Sequence, residues 1–76
     1  MTQNARLLVH LETRGPITQR DAFILLGIMR LSQRVRELED LGYVIQHERI
    51  KVPTREGEEA NVTRYTLISE PARAAA

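Results

Sequence analysis

The chain has 76 residues, 11 Lys and Arg against 10 Asp and Glu for a formal net charge of +1, and no cysteine. Composition therefore excludes a disulfide framework, a thiolate metal site and a uniformly basic nucleic-acid binder, and a chain this short folds as one domain with a thin core. No apolar run approaches the roughly 18 residues of a membrane span, and the stretch "MTQNARLLVHLETRG" lacks both the apolar core and the cleavage site of a signal peptide, so the chain reads as soluble and cytoplasmic.

In chain order, Leu7, Leu8 and Leu11 recur at helical spacing and predict a first helix over Gln3–Thr13, stopped by Gly15 and Pro16. Ile17 follows as a short extended link. Thr18 and Asp21 form a capping-box-like start for a second helix, Gln19–Leu26, with Ala22, Leu25 and Leu26 turned inward. Gly27 then interrupts an apolar run, as a backbone turn intolerant of a side chain requires.

Leu31, Val35 and Leu38 stand at i, i+4 and i+7 and predict a third helix over about Met29–Leu41, ended by Gly42. Beyond it the period changes. "YVIQHERIKV" and "NVTRYTLI" read as two antiparallel strands around the loop "PTREGEEA". Ile45 points one way and Ile50 and Val52 the other, so either a bulge or a hairpin projecting beyond the core is expected. "SEPARAAA" reads as a flexible tail, giving a domain over residues 1–68 and a tail over 69–76.

Three helices, a tight glycine turn between the second and third, and a two-stranded hairpin make an α+β winged helix-turn-helix. Charge is distributed to match. Residues 1–36 carry six arginines against Glu12 and Asp21, leaving +4, whereas from Glu37 onward five basic residues face eight acidic ones, leaving −3. The N-terminal half of the third helix offers Arg30, Ser32, Gln33 and Arg36, residue types that reach guanine, adenine and phosphate oxygens in a major groove. Glu37, Glu39 and Asp40 follow, and a helix entering by its N-terminal half leaves them outside.

Gln19, beside Thr18 at the start of the second helix, has a main-chain amide that could meet a phosphate, and Arg55 lies in the hairpin loop. Arg34 borders the core stripe, where an ion pair with Asp21 is favoured over a phosphate contact. His10 and His47 have no third nitrogen or sulfur ligand for a zinc site. Ser32, His10 and Asp21 lack the glycine-rich nucleophile turn of a hydrolase, and no phosphate-cradling glycine loop is present. No catalytic activity and no cofactor are expected.

"ITQRDAFILLGIMRLSQRVRELEDLGYVI", continuing into "VTRYTL", resembles the small helix-turn-helix, winged-helix-like proteins of bacteriophage and prophage genomes over about residues 17–68. The matching positions include Leu26-Gly27-Ile28, Arg30-Leu31, Arg34-Val35, Leu38, Gly42-Tyr43 and Arg64-Tyr65. The resemblance implies a DNA-binding transcription regulator, and the positions read above make Gln19, Arg30, Ser32, Gln33, Arg36 and Arg55 the expected DNA-contacting set. The pattern departs in its loop, where Lys51 and Arg55 are joined by Glu56, Glu58 and Glu59. The alternative is a protein-interaction winged helix whose hairpin docks on a partner polypeptide. A homodimer is compatible with either.

Overall fold

The computed structural model describes residues 2–71, in which helices pack against one face of a three-stranded antiparallel sheet. Helix α1, Gln3–Thr13, starts where the Thr2 hydroxyl accepts from the Ala5 amide at 3.1 Å. It ends where the amides of Arg14 and Gly15 both donate to the His10 carbonyl, at 2.7 and 3.0 Å.

The expected extended link is a strand. Strand β1, Ile17–Thr18, pairs with the last strand, Ile17 opposite Tyr65 and Thr18 opposite Arg64, so the sheet has three strands rather than two. Two residues are too short to show any alternation in sequence. Helix α2, Gln19–Asp21, opens on the capping box that the sequence suggests: the Asp21 amide donates to the Thr18 hydroxyl and the Thr18 amide to the Asp21 carboxylate, each at 3.4 Å.

α2 runs directly into a π-helical turn, Ala22–Leu26, closed by Gly27 at φ +70°. The Ile28 amide reaches back to the Ala22 carbonyl at 3.0 Å and the Gly27 amide to Phe23 at 3.1 Å. Each bond spans one residue more than its counterpart at Gly42, where the Tyr43 amide meets Leu38 and the Gly42 amide meets Glu39. The wider turn rotates its later side chains off the core stripe, so Leu25 is 56% exposed rather than inward, while Ala22 is buried as expected.

Helix α3 is Leu31–Asp40, two residues shorter at its start than the spacing predicts. Arg30, at φ −121° and ψ 72°, stands outside the helix as its cap position. It has no short polar side chain with which to cap, and the helix begins where another residue supplies that bond. Arg34 does not pair with Asp21, whose carboxylate is held by Thr18; its Nε lies 3.3 Å from Glu37 Oε1, which also accepts from the Asn4 side chain of α1 at 3.1 Å.

Strands β2, Val44–Pro53, and β3, Glu59–Ser69, form a long hairpin. Its register shifts between Val44 and Ile45, the bulge suggested by the split between Ile45 and the pair Ile50 and Val52. The pairing continues to Pro53 opposite Glu59, so the loop is only residues 54–58. Ser69 still belongs to β3, and residues 72–76 of the expected tail lie outside the described residues.

The core joins Leu7, Leu11, Ile17, Ala22, Ile28, Leu31, Val35, Leu38, Ile45 and Tyr65. Every element except α2 contributes to it, the hairpin only through Ile45 and Tyr65, and the protein is 54 Å long but only 23 by 20 Å across.

Candidate nucleic-acid interface

Helix α3 turns Leu31, Val35 and Leu38 into the core, which leaves Ser32, Gln33, Arg36 and Asp40 on the opposite side. In the sheet, residues alternate in the same way. Ile45, His47, Arg49 and Lys51 share one face of β2, opposite Leu67, Tyr65, Thr63 and Asn61 on β3. Ile45 and Tyr65 are buried, so this is the face turned toward the helices.

Between α3 and that face lies an open cleft of about 610 Å³, lined by Ser32, Gln33, Arg36, Glu39, Asp40, His47 and Tyr65. His47 Nε2 stands 3.2 Å from Glu39 Oε2, and its ring meets Tyr65 edge-on with centroids 4.9 Å apart. Burial, and then the charge of Glu39, push the Tyr65 phenol above its ordinary pKa. The floor is thus a linked Glu39–His47–Tyr65 set, and Arg36 stands above it.

Three of the expected contact residues, Ser32, Gln33 and Arg36, meet in this cleft. Arg30 is exposed at the start of α3, outside the lining. The Gln19 side chain is occupied within the protein: Nε2 donates to the Ile28 carbonyl at 2.9 Å and Oε1 accepts the Leu31 amide at 2.8 Å. It bridges the turn between the second and third helices and leaves only the main-chain amide for an outside ligand. Arg55 sits at the hairpin tip, eight residues beyond His47, roughly 27 Å along an extended strand.

The acidic end of α3 divides. Glu37 turns toward α1 and Asn4, whereas Glu39 and Asp40 line the same cleft as Arg36. Sequence reasoning also passed over Arg49 and Lys51 as cations on the same face of β2 as His47, beyond the lining of the cleft. The signal was present: both stand in phase with Ile45, at i+4 and i+6, and so share its face. Among the described residues the ion pairs are Arg34–Glu37, His47–Glu39 and Arg64–Glu48, which leaves Arg30, Arg36, Arg49 and Lys51 outside every pair.

A helix-turn-helix whose second helix is exposed along one side, followed by a hairpin flanking that side, sets the frame for comparison. The winged helix-turn-helix domain family matches residues 2–70. The chain belongs to that family. The match takes in every element from α1 to β3, so α3 is the helix that follows the turn of the winged helix-turn-helix domain and β2–β3 the hairpin of its wing. Membership suggests DNA binding. No curated protein and no solved structure matches the chain. In the described part of this winged helix, no helix is long and apolar enough to cross a membrane, and no three His, Cys, Asp or Glu side chains gather where a metal ion could be held.

Proposed function

We propose that the protein is a sequence-specific double-stranded DNA-binding regulator of transcription, acting in the cytoplasm, whose α3 enters the major groove. Ser32, Gln33 and Arg36 read base edges. Arg30, at the entry of the helix, and Arg49 and Lys51, on the wing face, meet phosphates on either side. The single observation that carries this reading is the grouping of Ser32, Gln33 and Arg36 on one exposed face of α3, flanked by a wing face whose two cations lie outside every ion pair. The groove is about 12 Å wide and admits a helix, and Arg and Gln offer the bidentate geometry that guanine and adenine require. Gln19 contributes by its main-chain amide at most, and Arg55 only where the duplex reaches the wing tip. The phage or prophage character of the regulator rests on the resemblance carried by residues 17–68.

Fluorescence anisotropy with a random duplex, titrated with salt, tests the reading. Binding should weaken steeply, with log K falling by about 0.9 for each phosphate neutralised. The triple variant S32A/Q33A/R36A should bind more weakly while unfolding at an unchanged temperature, because all three side chains are exposed. Duplex affinity insensitive to salt, or unchanged in the triple variant, overturns it.

One observation favours a second reading. The wing tip carries Glu56 and Glu58 beside Arg55 and lies far from the cleft, an arrangement suited to a protein partner held by the hairpin. Retention of that partner by S32A/Q33A/R36A would support it. A second copy of the chain is one such partner, and sedimentation would reveal it.

A further inference from the structure

Helix α1 presents a second exposed surface, on the side away from its leucines. Taking Arg6 as the origin and about 100° per residue, Val9, Thr13, Arg6 and the C-cap residue Arg14 are exposed along an arc of about 140°, in which His10, between the two arginines, is buried. Glu12 falls outside that arc, at about 240°, and the neighbouring Glu70 raises its pKa above the ordinary carboxylate value. The arc packs beside the π turn. Together they form a shallow cleft of about 180 Å³ lined by Arg6, Val9, His10, Thr13, Arg14 and Leu26, with no carboxylate among them.

The floor of this cleft is apolar and its rim is cationic. Val9 is 43% exposed, Leu26 is half-buried, and Arg6 reaches over to the Leu26 carbonyl at 3.4 Å. The segment that supplies Leu26 also leaves Phe23, Ile24 and Leu25 more than half exposed. Exposed apolar side chains gathered on one segment are uncommon on a protein that works alone. The widened π turn is what holds these three outward, and such turns occur frequently at functional sites.

We propose that this face is a docking surface for an acidic amphipathic helix of a protein partner. Charge complementarity selects the partner: arginines at both ends of an acid-free arc meet carboxylates, and the apolar floor meets leucine-type side chains between them. Arg6 and Arg14 are eight residues apart, about 12 Å along the helix, which matches two turns of a partner helix. A phosphate backbone would satisfy the arginines but would leave Val9 and Leu26 without a counterpart. The surface is separate from the α3 cleft, with which it shares no lining residue, so the proposal does not depend on DNA binding.

The probe is a pair of synthetic helical peptides of about 16 residues, identical in their leucines, one carrying Glu and the other Lys on the polar face. Nuclear magnetic resonance titration of the full chain should show the Glu peptide shifting amides of Val9, Thr13, Arg14 and Leu26, and binding at least tenfold more tightly than the Lys peptide. R6E/R14E should reverse that preference. V9D, at an exposed position that leaves both arginines in place, should weaken the Glu peptide at least tenfold with the melting temperature retained. Equal binding of the two peptides, shifts confined to α3 and the wing, or unaltered affinity in both variants each overturn the proposal. So does loss of duplex affinity in R6E/R14E without peptide binding to the parent, which would make the arginines phosphate contacts.

Discussion

The Gln19 side chain accepts the amide of Leu31, twelve residues further along, at 2.8 Å, and so caps a helix to which it does not belong. Its other end holds the Ile28 carbonyl, fixing the turn from both sides. Gln19→Ala should therefore lower stability by about 1–2 kcal/mol, as loss of a helix cap does. For a domain of this size each kcal/mol corresponds to a fall of about 4–8 °C in melting temperature. The same variant should bind duplex with an unchanged salt slope, since its main-chain amide remains. A loss of duplex affinity at full stability, with the slope unchanged, would instead make the Gln19 side chain a DNA contact.

That cap also explains where the sequence misleads. The spacing of Leu31, Val35 and Leu38 finds the buried side of α3 correctly, because burial follows helical period. The start of the helix depends on a bond from Gln19, which no local pattern at Met29 or Arg30 records. Leu25 reads as inward only while the turn is α-helical; widening it by one residue is a tertiary outcome of closing onto Gly27 and Ile28. In the candidate site, Ser32, Gln33 and Arg36 were legible because they oppose the leucines on a single helix. Arg49 and Lys51 were less so, because strand alternation puts them on the side of the sheet that faces the helices only once Ile45 and Tyr65 are known to be buried there.

Arg34 and Asp21 should behave independently. Because the Arg34 partner is Glu37, combining Arg34→Ala with Asp21→Ala should give losses that add to within about 0.5 kcal/mol. Glu37→Ala should cost more than Arg34→Ala, since it removes the acceptor of both Arg34 and Asn4. Thermal unfolding of the four variants decides this. A sub-additive Asp21–Arg34 pair would show that the two helices exchange partners in solution.

Tyr65 links the cleft to pH. Burial and the Glu39 charge raise its folded pKa, so the unfolded chain gives up this proton first as pH rises. The associated stability is fully present below about pH 10, the ordinary tyrosine value, and is lost as pH climbs through the raised folded value. Phenolate absorbance in a Tyr43→Phe background, which leaves a single tyrosine, should show a midpoint above the ordinary one. Glu39→Gln should move it part of the way back, leaving the larger contribution of burial. A midpoint unaffected by Glu39→Gln would remove that carboxylate from the account.

The wing offers the sharpest discrimination, because its acids differ in the direction they face. Arg49 and Lys51 lie on the cleft side of the hairpin, and Glu59 shares that side, in phase with Asn61, Thr63 and Tyr65. From Lys51 to the Pro53–Glu59 pair is two residues, roughly 7 Å, within the Debye length of about 8 Å at physiological salt. Glu56 and Glu58 lie beyond, in the loop over residues 54–58. A phosphate held by Lys51 would thus be repelled by Glu59 and screened from the other two. Glu59→Gln alone should tighten duplex binding, most visibly at low ionic strength, and E56Q/E58Q should leave it nearly unchanged. Arg49→Ala and Lys51→Ala should each reduce the magnitude of the salt slope by about 0.9. If removing the wing cations leaves the slope intact while E56Q/E58Q alters duplex affinity more than Glu59→Gln does, the duplex meets the hairpin at its tip and not along the face that borders α3.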